Sequence, residues 1–508
     1  MVGSARSISG FEACMHKGIR GLPGLWPVTA EDRRRLSFRK PRNDRAVIAV
    51  LAYAGMGAAF MQTIMTPLQA ELPELLNAHR EDTAWVITVT LLVSAVFTPV
   101  SGRLGDMYGK RRIALVVMAA LMLGSVIAAL STEITLLIVG RALQGIGMGV
   151  IPLGISILRD VLPRERLTSA VALVSATLGV GGALGLPVSA LISENADWHL
   201  LFVVAAAVGA SAFVLILFIV PPTTLRTGGR FDWVGAVGLA TGLTSLLLFA
   251  AKGNVWGWLS PSALSLALGG VLVLLLWGLY ERRRTAPLVD LVTSARPPVL
   301  LTNLASIAMG FGFFAASVVF PQRLIQATEQ GGDGLSLLQA SIILMPSGIV
   351  MLIISQFAGR VERCIGSRFM LAVGALVIAC GYLVALLLPP GWGGVLAANA
   401  MIGVGLGLGF AAMPTLIMMS VPPEETAAAN GLNTLMRALG TSSASAVVAA
   451  VLAQQSITID GVAVPTQSGF QLSIMIAIGA SLLAAVLAAC IPRHRAPGGP
   501  RSSIPYRD

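Results

Sequence analysis

The sequence predicts an all-α integral membrane protein of fourteen spans, grouped as two six-helix bundles with two additional central helices. Three observations predict it. The composition is too apolar for a water-facing core, the apolar residues fall into fourteen separate runs, and Lys and Arg alternate across the connections between those runs. Of 508 residues, 55% are hydrophobic and 12% charged, with a mean hydropathy of +0.81. Soluble domains carry about 25% charged residues. Gly is abundant (55) and aromatics are sparse at 6%, as expected where helices pack closely in lipid.

A span needs about 20 apolar residues. The first six runs cover 47–66, 85–100, 113–130, 134–158, 167–192 and 200–220. Two central runs follow at 234–251 and 263–280, then six more at 300–320, 338–357, 369–388, 395–418, 427–452 and 470–491. Unpaired backbone groups are too costly in hydrocarbon, so each run must be helical. With the N-terminus placed inside the cell, the outer connections carry only Arg80, Lys252 and Arg323 of the chain's 35 Lys and Arg. Arg141 and Arg437 fall within spans, and all the rest lie on the inner side. That asymmetry obeys the positive-inside rule and places both termini in the cytoplasm. It also accounts for the net charge of +11 without nucleic acid.

The expected organisation is a basic cytoplasmic tail (1–45), an N-terminal six-helix bundle (46–220), two extra central helices (221–297), a C-terminal six-helix bundle (298–492) and a short cytoplasmic tail (493–508). The tails mix Gly, Pro, Ser and charge in the manner of unstructured segments. The cluster Arg33, Arg34, Arg35, Arg39 and Lys40 reads as a stop-translocation flank or a contact with anionic lipid. No cleavable signal peptide is expected, because the first apolar run starts too far in and is too long. Cys14, Cys364, Cys380 and Cys490 have no ligand spacing, so neither a zinc site nor a disulfide framework is expected, and no cofactor is implied.

The chemistry concentrates in "GRLGDMYGKRR", Gly102–Arg112, expected as a short inner connection between the second and third spans. Asp106 there can pair with a neighbouring Arg or cap the next helix. An echo, "GRVERCIGSR" at Gly359–Arg368, follows the second span of the last six and points to two homologous halves.

The first stretch resembles the loop signature of the major facilitator superfamily, Gly-x-Leu-Ala-Asp-Arg-x-Gly-Arg-Lys. Gly102, Leu104, Asp106 and Gly109 match by identity, Lys110 and Arg111 by charge. Gly105 and Met107 depart from it. "IVGRALQGIGMG" resembles the fourth-helix signature through Arg141, Gln144, Gly145, Gly147 and Gly149. "GVGGALGLPVSA" resembles the fifth-helix antiporter signature through Gly181 and Gly185, with Pro187 one residue late. The central "FDWVG" and "VWGW", and the later "NGLNTLMRALG", resemble the fourteen-helix drug:proton antiporter branch.

The resemblance implies a major facilitator fold, in which two bundles rock about a midplane cavity. It implies export of hydrophobic or amphiphilic organic compounds across the cell membrane, with protons as the coupling ion. Gly102, Leu104, Asp106, Gly109, Lys110 and Arg111 would form a conformational latch, and Arg141 and Asp106 would serve proton coupling. Gln144, Gly145, Gly149, Gly181, Gly185 and Pro187 would sit at helix interfaces, the fifth-helix glycines between the bundles. The cavity, lined by the first, fourth, ninth and twelfth spans, would present Gln62, Thr63, Thr66, Gln144, Asn303, Ser306 and Asn399, with Met61, Met65, Phe311 and Met413 as apolar lining. Such a cavity suits an apolar or weakly anionic solute, and Met offers adaptable contacts.

Several residues keep two readings open. A buried Arg costs about 2.5–3.5 kcal/mol on insertion scales, so Arg141 is either a coupling residue or an interhelical structural one. Arg437 lies nearer a helix end, where snorkelling would also serve. The fifth-helix glycines could equally be close-packing residues. The branch carries an acid in the first span where this chain has Met61, and none of the fourteen runs contains a carboxylate. Proton coupling therefore falls to Asp106 or Glu71, or the chain is an uncoupled transporter of one metabolite. Intramembrane enzymes need paired acids, His clusters or a Ser/Lys pair within spans, and no GxxxxGK[ST] phosphate loop occurs. A membrane enzyme and an ATP-driven pump are thereby disfavoured.

Overall fold

The computed structural model describes residues 43–65, 68, 72–223, 225–328, 332–389, 391–459 and 462–492. The expected tails lie mostly outside these residues, as do Thr66 and Glu71. Fourteen helices are long and apolar enough to span a membrane. The first six are α1 (Asp44–Thr63), α2 (Asp82–Tyr108), α3 (Lys110–Ala129), α4 (Ile134–Val161), α5 (Glu165–Asn195) and α6 (His199–Ile219). The central pair is α7 (Trp233–Gly253) and α8 (Pro261–Glu281). The last six are α9 (Pro297–Ile325), α10 (Leu337–Ile365), α11 (Ser367–Leu387), α12 (Trp392–Ser420), α13 (Pro423–Gln454) and α14 (Gln467–Cys490).

Local sequence sets many of the helix starts. The Asn43 side chain accepts from Arg45 N at 3.2 Å at the head of α1. Ser260 caps α8 ahead of Pro261, a position where a missing N–H costs nothing. Ser336 and Gln339 form a reciprocal capping box at α10. Pro99, Pro187, Pro321 and Pro414 lie inside long helices, and α4 tightens to a 3-10 turn at Gly147–Gly149.

Packing repeats between the halves. In the first, α3 packs on α6, α1 on α5 and α2 on α4; in the second, α11 packs on α14, α9 on α13 and α10 on α12. Each half encloses its own apolar core, one including Leu51, Ile151 and Phe202, the other Met309, Tyr382 and Phe410. The halves meet where α2 packs on α13 and α5 on α10. The central pair docks outside the α2–α13 seam: α7 packs on both helices, and its Leu239 and Leu243 share a cluster with Leu92 and Leu435. On α8, Leu268, Leu272 and Leu275 are exposed, as a lipid-facing surface requires.

Two features differ from the sequence expectation. Gly102–Arg112 is scarcely a loop: α2 runs to Tyr108 and α3 begins at Lys110. Gly109, at φ 107°, is the whole connection, and only glycine adopts that conformation without strain. Between α13 and α14 a short antiparallel hairpin forms from β1 (Ser456–Ile459) and β2 (Val462–Pro465). Its four-residue strands are too short to signal themselves by alternation.

Candidate functional site

The end of the molecule holding the α2–α3 junction is the candidate site, because there the two bundles are joined by buried charge. Asp106, on the last turn of α2, is fully buried. Its Oδ2 accepts from Ala428 N at 2.8 Å and its Oδ1 from Ala427 N at 3.3 Å. Both amides lie in the first turn of α13 in the opposite bundle. First-turn amides lack intrahelical partners and carry the positive end of the helix dipole. The sequence expectation that Asp106 caps the next helix is thus corrected: it caps α13, more than 300 residues away.

Lys110 completes the cluster from the first residue of α3. Its Nζ lies 3.8 Å from Asp106 and 2.8 Å from Asp160 on α4, and it is fully buried. One ammonium therefore serves two carboxylates. Beside it, Arg159 of α4 donates to Val421 O at 3.2 Å and Pro422 O at 3.4 Å and contacts the Thr426 hydroxyl. Arg159 and Thr426 went unnoticed in the sequence, where Arg159 read only as an inner-side base. Gly102 permits the approach: a Cβ there would lie 2.4 Å from Ala427 O. Met107 belongs to the apolar cluster that includes Phe231 and Leu432, and Leu104 packs against that cluster. Arg111 turns the other way and donates to Leu217 O near the end of α6, so among the expected latch residues it does not reach the opposite bundle.

The central pair is tied to this end. Thr227 N donates to Asp106 O at 2.8 Å. Asp232 of "FDWVG" accepts from Gly235 N and from the Tyr280 hydroxyl, joining α7 to α8. Glu281 accepts from Val289 N at 2.9 Å, which fixes the α8–α9 connection. In that connection burial pushes the Asp290 carboxyl upward, but hydrogen bonds from the Thr293 hydroxyl and from the Thr293 and Val292 amides outweigh it and hold Asp290 below the ordinary carboxylate range. A cavity of about 440 Å³ opens there, with Arg103, Asp290, Val421 and Glu425 in its wall.

Arg141 lies in the half of α4 distant from the junction and is fully buried. It donates to Met61 O at 2.7 Å on α1, Val86 O at 3.2 Å on α2 and Gln144 Oε1 at 2.8 Å. Gln144 passes the contact on to Ser125 of α3 at 2.9 Å. The guanidinium thus gathers four helices through carbonyls and an amide, and among the described residues it forms no ion pair. Gly145 and Gly149 lie against α2, where added Cβ atoms would meet Thr90 O at 2.7 Å and Ser101 Oγ at 2.2 Å. Arg437 does not snorkel: it is 8% exposed and lies 4.8 Å over the Phe410 ring of α12.

The fifth-helix glycines divide between two surfaces. Gly181 and Gly185 face α1, meeting Met56 O and Thr63, inside their own bundle. Contact with the opposite bundle is made instead by Gly179 and Ala183, against Gly348 and Met351 of α10. The expectation that Gly181 and Gly185 lie between the bundles is corrected accordingly. Pro187 is half-buried within the uninterrupted α5.

Of the expected cavity residues, Gln62 and Thr63 are half-buried at the end of α1, and Phe311 is half-buried on α9. Asn303 and Ser306 on α9 are buried and receive Asn433 Nδ2 of α13 at 2.9 and 2.7 Å. Ser306 also meets Met413. Asn399 is buried and donates to Leu344 O at 2.8 Å. The apolar candidates Met61, Met65 and Met413 are all buried in bundle cores. Asn433 had a signal in the sequence: with Asn430 and Arg437 in "NGLNTLMRALG" it repeats at helical spacing.

Two repeated bundles meeting along α2–α13 and α5–α10 define a two-bundle transporter rather than an enzyme. A profile of the Major Facilitator Superfamily matches residues 47–445, and the chain belongs to that family. It is therefore a multi-pass membrane transporter that moves a small molecule. Multidrug resistance protein 3 of Bacillus subtilis is 25% identical, covering 70% of each chain. Tetracenomycin C resistance and export protein of Streptomyces glaucescens is 26% identical over 86% of this chain and 77% of its own. Cephamycin export protein CmcT of Amycolatopsis lactamdurans is 30% identical over 70% of this chain and 74% of its own. The fold matches the human organic anion transporter MFSD10 with a TM-score of 0.62 at 15% identity, covering 88% of this chain and 99% of that one.

Proposed function

We propose that this protein exports hydrophobic or amphiphilic organic compounds across the cell membrane by alternating access, in exchange for protons. Relatives named for multidrug resistance and antibiotic export support the substrate class. The observation that carries the alternating-access reading is the Asp106 carboxylate seated on first-turn amides of the other bundle. It is a contact made only while the bundles are closed at this end. Gly102, Leu104, Asp106, Gly109 and Lys110 form the latch, with Arg111 bracing α3 on α6. Positive-inside asymmetry puts that end, and both termini, in the cytoplasm, so the latched arrangement opens outward.

In this reading Arg141 and Asp106 serve coupling. A substrate entering between the bundles meets Gln62 and Thr63 at the end of α1 and Phe311 on α9. Asn303, Ser306 and Asn399 shape the C-terminal wall through their interhelical bonds. A second reading, uncoupled transport of one metabolite, is favoured by buried Met61 at the branch's acid position and by the uncharged partners of Arg141, two backbone carbonyls and the Gln144 amide.

One experiment separates the two: efflux of a fluorescent lipophilic dye from vesicles with an imposed pH gradient. Antiport predicts dye-dependent proton release and arrest of efflux when the gradient collapses. Efflux indifferent to the gradient overturns coupling. Arg141→Ala exporting at the wild-type rate, with unchanged gradient dependence, removes Arg141 from the coupling role.

A further inference from the structure

On the far side of the α2–α3 junction from α13, three arginines line one pocket. A pocket of about 230 Å³ lies between the start of α3, the end of α6 and the segment leading to α7; its basic wall is Arg111, Arg112 and Arg226. Among the described residues none of the three forms an ion pair. A Cβ built on Gly109 would lie 3.7 Å from Arg226 Nε, so this guanidinium sits directly over the junction. Among the described residues, two buried polar atoms at the pocket find no hydrogen-bond partner: Arg111 Nε and Thr223 Oγ1. Thr223 is only 6% exposed. Clustered like charges repel and a buried polar group without a partner is costly, so the arrangement as it stands calls for an anion.

The chemistry narrows which anion. Planar guanidinium forks match phosphate oxygens in pairs, and a hydroxyl can donate to a third. The remaining wall is apolar, from Leu115, Leu217 and Pro222. Just below, the outer faces of α3 and α6 expose Val116, Leu123, Val214 and Phe218, the last at 80%. A ligand with phosphate at one end and hydrocarbon at the other satisfies both halves. The volume is smaller than the roughly 300–1,000 Å³ of drug-sized pockets.

We propose that this pocket binds the phosphate of an anionic phospholipid, with the acyl chains along the α3–α6 face. Occupancy joins Arg226, in the segment leading to α7, to Arg111 and Arg112 at the head of α3. Thr227, the next residue, already donates to Asp106 O. A bound lipid therefore holds this segment on the junction and favours the closed arrangement.

The test is lipid binding by the purified full chain in detergent, read by native mass spectrometry and thermal stability. This readout does not involve transport, so its failure leaves the proposed export function standing. The probes are phosphatidylglycerol, phosphatidylcholine and inorganic phosphate. Phosphatidylglycerol should be retained preferentially and should raise the melting temperature. Arg112→Gln/Arg226→Gln, both exposed positions, should weaken its binding roughly 25-fold, about fivefold per charge, while circular dichroism stays unchanged. Thr223→Val should weaken it severalfold. Arg230→Gln/Arg282→Gln, at the same end but outside the pocket, should change it less than about twofold. The proposal is overturned if the first pair retains wild-type binding, or if the second pair weakens it equally. Equal retention of phosphatidylcholine overturns it, and so does full stabilisation by inorganic phosphate alone.

Discussion

The α2–α3 and α10–α11 junctions are built on one plan and charged differently. Gly102 and Gly109 correspond in spacing to Gly359 and Gly366. Gly109 and Gly366 both turn the chain at positive φ, 107° and 80°. Gly102 and Gly359 both press on the opposite bundle, a Cβ meeting Ala427 O at 2.4 Å in one and Ser169 Oγ at 2.3 Å in the other. Arg111 and Arg368 both donate to carbonyls at the ends of α6 and α14. Where the first junction has buried Asp106, however, the second has exposed Arg363, which cannot accept from helix-start amides. Where the first has Lys110 between two acids, the second has Ser367 bonded to Glu362. Glycine and arginine preserve the geometry of the repeat, and the bridging charge is confined to one half.

The largest effect expected from this difference is at Asp106. Asp106→Ala leaves two first-turn amides unpaired and costs the closed arrangement about 2 kcal/mol, roughly thirtyfold in its population. Spin-label distances between the ends of α2 and α13 would report it, together with a fall in efflux. Arg363→Ala should move neither; equal effects at both positions would abolish the distinction between the junctions.

Next in size is Gly102→Val. Its Cβ meets a carbonyl of the α13 backbone, which cannot rotate away, and overpacking of this kind costs about 1–3 kcal/mol. Gly359→Ala meets a serine hydroxyl that can change rotamer, so its cost should stay below about 1 kcal/mol. Thermal stability of the two variants would order them.

Lys110→Gln should follow, since it leaves Asp106 and Asp160 facing each other without their shared cation. The two buried like charges then repel without their shared cation, and efflux should fall. Restoration by Lys110→Arg would confirm that charge rather than shape matters. The smallest effects belong to Arg111→Gln and Arg368→Gln. Each removes a hydrogen bond to a helix-end carbonyl, worth about 1 kcal/mol, and the two losses in thermal stability should be similar. A large inequality would mean that the shared geometry conceals different loads.

Much of the molecule was legible in one dimension. Fourteen spans could be counted because each long apolar run has only one way to satisfy its backbone in hydrocarbon. The pairing of Gly102–Arg112 with Gly359–Arg368 was visible because glycine spacing survives where side-chain chemistry has diverged. The site was only half legible. Asp106 and Lys110 stood out as charge in an apolar chain, but Arg159 and Thr426 did not, since nothing in their own surroundings marks them as meeting across the bundle seam. Gly181 and Gly185 admit two readings in the sequence, between the bundles or close-packed within one, and the structure shows the second. A helix covered on several sides puts glycines on each, and spacing along it does not say which neighbour they meet.

By itself, then, the sequence determined the solvent, the number of crossings, the repeat and the residues carrying unusual charge, all of which follow from composition and local spacing. The tertiary structure alone decided that Asp106 caps α13 and not α3, that Arg141 answers to carbonyls and an amide, and that Gly179 rather than Gly181 touches the opposite bundle. The physical reason is the same in each case. A buried polar group or a bare glycine states a need for a partner, but the partner comes from another helix, and only packing brings that helix alongside.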